Sequence, residues 1–539
     1  MARNQAKPIV VENIPTFRRS QSPLDVFVIP ELSQKRKLTD VPFLITLGIC
    51  VVILMVTMIY TLCYSDINRV LHGYDYCGNV CGEKNSPVEG IPCSGQDMTN
   101  KPYLEGSTCV ENCRYSDTTE CSASDVFNDF SNEGTHLAIL CCIGLVLSII
   151  ALLCFRYFVD VFVWTMLIGA VLLMFALTGF VWYRYAQAAT YERTSFLISA
   201  IILTFFSVIF SLFILLLTVQ IKLIIRFYEE TIKIVFAMPL VLLEPVLTFI
   251  SLFVIVGLCL YTFVLMVHAG KLQEADDQYS HDMKKYEYVP DGGMIFATVF
   301  AWIMMLWMVQ FVLACQQMVI SGAVSNYYFT RDKLALVSPI YSSFYNLIRY
   351  HLGSVAFGSL IITAINILKI ILRAAARENG CMRLIYICCF RPLEDLVKYM
   401  TSMGYIVTAI HGQPLCRSSV RAVNLIISNL LSAVAMNSIG NFVFFMVKLF
   451  VVAITALIGY WMKLSVLPIV IGAVVAFVCI HCIFVVFEVA VDTVLICYCE
   501  DNCVNNGTNQ PFYATVEFYQ QVKQAQALTK SIEAKKKKK

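Results

Sequence analysis

Charge is scarce in this chain. Asp, Glu, Lys and Arg fill 14% of 539 positions, apolar residues fill 58%, and the mean hydropathy is +0.71. A soluble protein of this length has no interior large enough to keep that much apolar surface from water, so a soluble globular fold is excluded. Signature motifs are missing too. There is no G-x-x-x-x-G-K-[ST] loop, no dinucleotide fingerprint, no H-E-x-x-H and no G-x-S-x-G. An ATP-driven pump or a membrane hydrolase normally shows one of these. The T-V-G-Y-G potassium filter is absent, as are a basic-aromatic nucleic-acid surface and any visible internal repeat. With no nucleophile–base constellation the chain does not read as an enzyme, and nothing calls for a cofactor, a metal or a nucleic acid. Transporter, facilitative channel, and membrane scaffold or receptor remain.

What is present is a series of long apolar runs. They fall near 43–64, 137–155, 159–182, 195–219, 239–267, 294–325, 351–372, 441–461 and 467–494, each long enough to cross a bilayer as a helix. The first 40 residues are polar and basic (Arg18, Arg19, Lys35, Arg36, Lys37), which predicts a tail and not a cleaved signal. The 63–135 loop holds twelve acidic and four basic residues, and the 268–292 loop six and three, leaving +14 elsewhere in a chain of net charge +3. The positive-inside rule then places both termini in the cytoplasm and both acidic loops outside. Two cytoplasmic ends require an even number of crossings. The tenth candidate is 396–435, an apolar stretch broken by Lys398, His411, Arg417 and Arg421, for which a re-entrant or broken helix is the alternative. The expected fold is an all-α polytopic membrane protein of about ten transmembrane helices. It divides into a cytoplasmic tail over 1–40, a first span over 41–64, an extracellular loop over 65–135, a bundle over 136–495 and a cytoplasmic tail over 496–539.

Six cysteines, Cys77, Cys81, Cys93, Cys109, Cys113 and Cys121, lie in the first loop, with Cys63 at the membrane edge. In a short polar loop outside the cell they predict up to three disulfides, whose pairing spacing alone does not decide. Two C-x3-C spacings hint at zinc, but no histidine sits among them. Cys381, Cys388, Cys389, Cys497, Cys499 and Cys503 fall at membrane ends on the cytoplasmic side, as reduced thiols or acylation sites. The sequon Asn506-Gly507-Thr508 is expected to be cytosolic and unglycosylated.

Ionisable groups inside spans are costly, so each is a functional candidate. Glu244 precedes Pro245 within a run, which suggests either a gate or proton carrier, or a carboxylate satisfied by neighbouring helices. Lys448 calls for a carboxylate partner or snorkels to the interface. Glu488 and Asp492 share a face near the cytoplasmic end of the last run, where solvent or an arginine is the expected partner. The densest polar-aromatic stretch is 301–329. Gln310 and Gln317 share a helix face there, with Trp307 one turn from Gln310. Quaternary ammonium ions bind tryptophan and tyrosine faces by cation–π attraction, and an acidic outer surface concentrates cations.

Several segments resemble the choline transporter-like family. They are D-I-N-R-V-L-H-G-Y-D-Y-C-G-N-V-C-G (66–82), L-A-C-Q-Q-M-V-I-S-G-A-V (313–324), R-Y-H-L-G-S-V-A-F-G-S-L-I (349–361), P-L-E-D-L-V-K-Y-M (392–400), Y-I-V-T-A-I-H-G-Q-P-L-C-R-S-S-V-R-A (405–422) and V-D-T-V-L-I-C-Y-C-E-D (491–501). The resemblance runs from the first span to the C-terminal tail in the family's order. It implies ten spans with cytoplasmic termini, and uptake of choline or ethanolamine without ATP, by exchange against protons. It also implies the plasma membrane, with mitochondrial or other organelle membranes as alternatives. The expected site has Trp302, Trp307 and Tyr261 as an aromatic cage, Gln310, Gln316 and Gln317 as polar lining, and Glu244 for gating or proton coupling. The rival reading is a scaffold or receptor whose disulfide-bonded loop binds a protein.

Overall fold

The computed structural model describes residues 36–88, 90–111, 123–188, 192–267, 269–280, 283–333, 336–378, 380–428, 439–505, 512–524 and 527. Cys113, Cys121, residues 429–438, the sequon at 506–508 and the chain ends, 1–35 and 528–539, lie outside the described residues.

A helix satisfies every backbone group within its own segment, which is what apolar runs need in hydrocarbon. The chain accordingly forms α1 (Val41–Leu62), the short α2 (Ile67–His72), α3 (Ala123–Tyr157), α4 (Val159–Gln187), α5 (Arg193–Leu216) and α6 (Thr218–Ala237). A 3-10 turn (Pro239–Leu243) leads into α7 (Glu244–Val267), followed by α8 (Gly292–Phe329) and α9 (Pro339–Asn346). Then come α10 (Leu352–Glu378), α11 (Gly380–Ile385), α12 (Arg391–His411), α13 (Leu415–Ser428), α14 (Asn441–Trp461) and α15 (Val466–Val504). Among the described residues nine helical segments are long and apolar enough to cross a membrane, and they coincide with the nine apolar runs. Large apolar side chains stand open along them, such as Ile201, Ile202, Phe205 and Phe206 on α5. A bilayer is the solvent that covers such a surface.

The weak stretch 396–435 is not one span in its described part. Gly412 adopts a left-handed conformation (φ +66°) that ends α12, and Pro414 precedes α13. Gly404 of α12 then lies against Ser419 and Leu415 of α13, so the two helices fold back on each other as a hairpin. This is the broken-helix alternative.

Among the described residues, two of the bundle's three buried packing centres contain stacked or edge-to-face rings. Phe155 of α3 is fully buried and meets Phe162 of α4, Tyr228 of α6, Phe444 of α14 and Phe484 and Phe487 of α15, with ring centroids 5.2–5.9 Å apart. Most of these pairs are edge-to-face or tilted, the arrangement favoured by ring quadrupoles. In the second centre α1, α8 and α10 enclose Leu47, Met304, Trp307 and Ala356, and Phe43 stacks on Phe357 at 4.0 Å.

The loop after α1 closes with two disulfides, Cys77–Cys93 and Cys81–Cys109. Asp75, buried beside them, accepts hydrogen bonds from the backbone N–H of Cys77 (2.9 Å) and Asn79 (2.7 Å). Two small hairpins add to the helical fold, β1 (Tyr103–Glu105) with β2 (Thr108–Val110), and β3 (Lys271–Ser280) with β4 (Met283–Val289). The second docks on the disulfide loop. The Tyr286 N–H donates to Tyr76 O (2.8 Å), the Tyr288 hydroxyl donates to Gly78 O (2.9 Å), and the Arg69 guanidinium lies 3.5 Å over the Tyr288 ring. This assembly marks the loop end of the bundle, where α1 and α7 finish and α8 begins.

Candidate functional site

A large cavity lies at the far end, between α7, α8 and α9. It holds about 690 Å³ and is lined by Met238 and Leu240 before α7, by Glu244, Leu247, Thr248 and Ser251 of α7, by Val312, Cys315, Gln316 and Val319 of α8, and by Tyr341, Phe344 and Leu347 around α9. Among the described residues its walls carry one carboxylate and no Lys, Arg or His.

Prolines place that carboxylate. Pro239 ends α6, which leaves only the 3-10 turn before Glu244 opens α7, and Pro245 occupies the next position, where a missing N–H costs nothing. An acidic group at a helix start also meets the positive end of the helix dipole. Thr248, one turn on, donates its hydroxyl to Glu244 Oε1 at 3.0 Å. The Gln316 amide lies within reach of the same carboxylate. No hydrogen bond of normal geometry satisfies Glu244 Oε2, which is buried. A buried, unpaired carboxylate oxygen is an acceptor awaiting a cation or a proton. The 24 residues of α7 put Glu244 about 35 Å from the loop end, at 1.5 Å per residue.

The expected site residues are distributed over several surfaces. Glu244 and Gln316 meet in the cavity. The neighbouring Gln317 turns to α12, where its Nε2 donates to Ser402 O at 3.2 Å and to the Ser402 hydroxyl. Trp307 is buried in the α1–α8–α10 centre and donates its indole N–H to Ser359 Oγ at 3.1 Å. Gln310 is half-buried one turn further along α8. Trp302 and Tyr261 have open faces, and Trp302 meets Phe263 edge-on at 5.1 Å. Thr248, Tyr341 and Phe344 carry no mark in the sequence, since a lone threonine in an apolar run and a short segment between runs look like ordinary packing.

Other charges find partners within the bundle. Lys448 of α14 pairs with Glu488 of α15 at 2.5 Å, so Glu488 answers to a lysine inside the bundle and not to solvent or an arginine. Glu500, fully buried, receives Arg421 Nε (2.6 Å) and Nη2 (2.8 Å), with His411 Nε2 at 2.9 Å. Cys497 and Cys499 are buried in the same region, which removes them from the interfacial thiols. Cys381, Cys388, Cys389 and Cys503 are exposed. No group of three or more His, Cys, Asp or Glu side chains suited to a metal occurs among the described residues.

The sequence model of a family described as plasma-membrane choline transporter matches residues 201–503, more than half of the chain. Choline transporter-like protein 1 of Mus musculus is 27% identical over 602 aligned residues, covering 89% of this chain and 91% of that one. Choline transporter-like protein 3 of Homo sapiens is 27% identical over 610, covering 92% of each chain. Choline transporter-like protein 2 of Dictyostelium discoideum is 26% identical over 451, covering 77% of this chain and 71% of that one.

Proposed function

The chain belongs to the plasma-membrane choline transporter family, and from that premise we propose that it carries choline, and related organic cations such as ethanolamine, by secondary transport in exchange for protons. The observation that carries this reading is Glu244 Oε2, buried and unpaired in a cavity whose walls, among the described residues, carry no other charged side chain. A quaternary ammonium offers charge without a hydrogen-bond donor, so apolar and aromatic walls around one carboxylate suit it. Tyr341 and Phe344 supply such faces, and Gln316 is placed to orient the hydroxyl. One carboxylate holds either the cation or a proton, and that exclusivity is the elementary requirement for exchange. Trp307 and Gln310 stand nearer the loop end on α8, and alternating access moves the cation past that level. In this reading both termini are cytoplasmic, the disulfide loop is outside, and the cavity faces the cytoplasm. The membrane is the plasma membrane, with organelle membranes such as the mitochondrial as alternatives.

The test is radiolabelled choline uptake into liposomes holding the purified chain, with and without a pH gradient. Saturable uptake that rises with an outward proton-exchange gradient is expected. Saturable uptake indifferent to the gradient removes proton exchange and leaves a facilitator. No uptake of choline or ethanolamine from folded protein removes the transport reading and favours a scaffold whose loop binds a protein.

A further inference from the structure

The cavity is far larger than a cation such as choline requires. At about 690 Å³ it falls within the range of pockets that bury drug-sized ligands, about 300–1,000 Å³. Its walls beyond Glu244, Thr248 and Gln316 are nearly all apolar, and they do not close. Leu240, Leu243, Leu247, Tyr341 and Phe344 line it and are also among the exposed large side chains, with Leu247 64% exposed. All five belong to segments long and apolar enough to lie in the bilayer. The exposed rim of the mouth is therefore apolar, and a chain leaving it there meets the lipid-suited flank of α7 and α9.

We propose that this cavity binds a single-chain amphiphile with a cationic, phosphate-free head, a long-chain quaternary ammonium or amine, admitted laterally from the membrane. The head sits at Glu244 and the chain runs along Leu247 and Phe344 to the lipid. Head chemistry follows from charge. One carboxylate with an unsatisfied oxygen complements one positive charge, and among the described residues the lining offers no Lys, Arg or His to a phosphate. A phosphocholine head would bring an anion with no partner. Chain chemistry follows from area, since buried methylenes leave neither water nor a void behind. The proposal rests on the choline reading for Glu244 as counter-charge and shares the Phe344 face with it.

The experiment is equilibrium binding of an n-alkyltrimethylammonium series to the full chain in lipid nanodiscs, each member below its micelle-forming concentration, with protein-free nanodiscs reporting partition into lipid. Protein-specific affinity should tighten by about fourfold per buried methylene until the chain emerges into lipid. Ser251→Trp and Leu247→Trp, both at exposed positions on the wall, should cut that gain short and weaken the long-chain members far more than tetramethylammonium. A chain-matched lysophosphatidylcholine should bind more than about tenfold more weakly than the ammonium, because its phosphate is left unpaired. Protein-specific binding with no chain-length dependence, or with one unchanged by both tryptophans, overturns the proposal. Binding that follows chain length in a protein that moves no choline removes the transport reading alone, and choline uptake without chain-length dependence removes this one alone.

Discussion

Glu244→Gln keeps the size of the side chain and an oxygen for Thr248, and removes only the charge. A hydrogen-bonded charge contributes about 1.5–3 kcal/mol, so cation affinity should weaken by about 10- to 150-fold, read as a higher KM for choline uptake. Unchanged KM would place the cation elsewhere. Trp307→Leu tests a different idea, because Trp307 is only 3% exposed and its indole N–H is held by Ser359. Truncation leaves a void and takes the indole donor from Ser359, whose hydroxyl keeps only its own bond to Ala356 O (3.0 Å), costing about 2–4 kcal/mol. A lowered unfolding temperature with normal uptake per folded molecule assigns Trp307 to packing, and lost uptake at normal stability assigns it to the path. The two tryptophans show where reading residues from sequence stops. Trp302 and Trp307 are five apart, which is about 140° around a helix, so one faces in when the other faces out. On a 38-residue helix apolar on every side, periodicity does not say which. Glu244 and Lys448 are legible because an ionisable group in an apolar run is costly whatever surrounds it. Their pairings are not, because Gln316 and Glu488 come from other helices and Thr248 looks like ordinary packing in an apolar run.

At the scale of elements the disulfide loop is a unit of its own. The Cys81–Cys109 bridge spans 28 residues, and closing such a loop restricts the unfolded chain by about 3.5 kcal/mol in the chain-entropy account. The double substitution Cys81→Ser/Cys109→Ser should make 65–111 sensitive to protease while the helices stay protected, as read by the fragments recovered. Next to it, Asp291 starts α8. The Tyr60 hydroxyl (2.6 Å), the Met294 N–H (2.9 Å) and Lys271 (3.1 Å) hold its carboxyl down, at about 2 against the ordinary 3.8. A depressed pKa contributes stability above the ordinary value and loses it as pH falls through the folded one. The unfolding-temperature gap between wild type and Asp291→Asn should therefore be present at about pH 6 and vanish near about pH 2. Cysteines crowded in an acidic loop announce that unit in the sequence. Its docking on β3–β4 goes unannounced, because the contacts at Tyr286, Tyr288 and Arg69 join segments some 200 residues apart. The α12–α13 hairpin is half legible. Charges within 396–435 argue against a simple span, and only the left-handed Gly412 shows where the chain turns.

Across the whole molecule, the far end is knit by side chains distant in sequence, while the cavity beside it is left open. Arg36 donates to Ala409 O (2.9 Å) and lies 3.1 Å from His351 Nε2, and Asp40 Oδ2 accepts from Ser354 Oγ (2.6 Å) and the Leu415 N–H (2.9 Å). Gly353, within the 349–361 motif, permits this approach, since a Cβ there would strike the carbonyl oxygens of Thr39 and Asp40. Glu500 ties α12, α13 and α15 together through His411 and Arg421. Asp501 accepts from the N–H groups of Tyr513 and Ala514 (both 2.9 Å), so the segment after α15 returns to the core. Membrane helices in a carrier have to move as packed groups, and a knot of buried ion pairs defines which group moves as one. The walls of the cavity, α7 and α9, take no part in the contacts just named. Arg421→Met leaves a fully buried carboxylate with His411 as its remaining partner here, and breaking such a pair costs about 3–5 kcal/mol. Arg421→Met/Glu500→Gln removes the stranded charge and should recover most of that loss, because a neutral replacement of a buried pair is close to neutral in stability. Thermal unfolding of the two variants in the same detergent decides it. If the double variant is no more stable than Arg421→Met, the pair is not the element that holds the three helices as one body. If it recovers stability and yet transports with altered kcat at unchanged KM, the knot sets the motion and leaves the cation site alone.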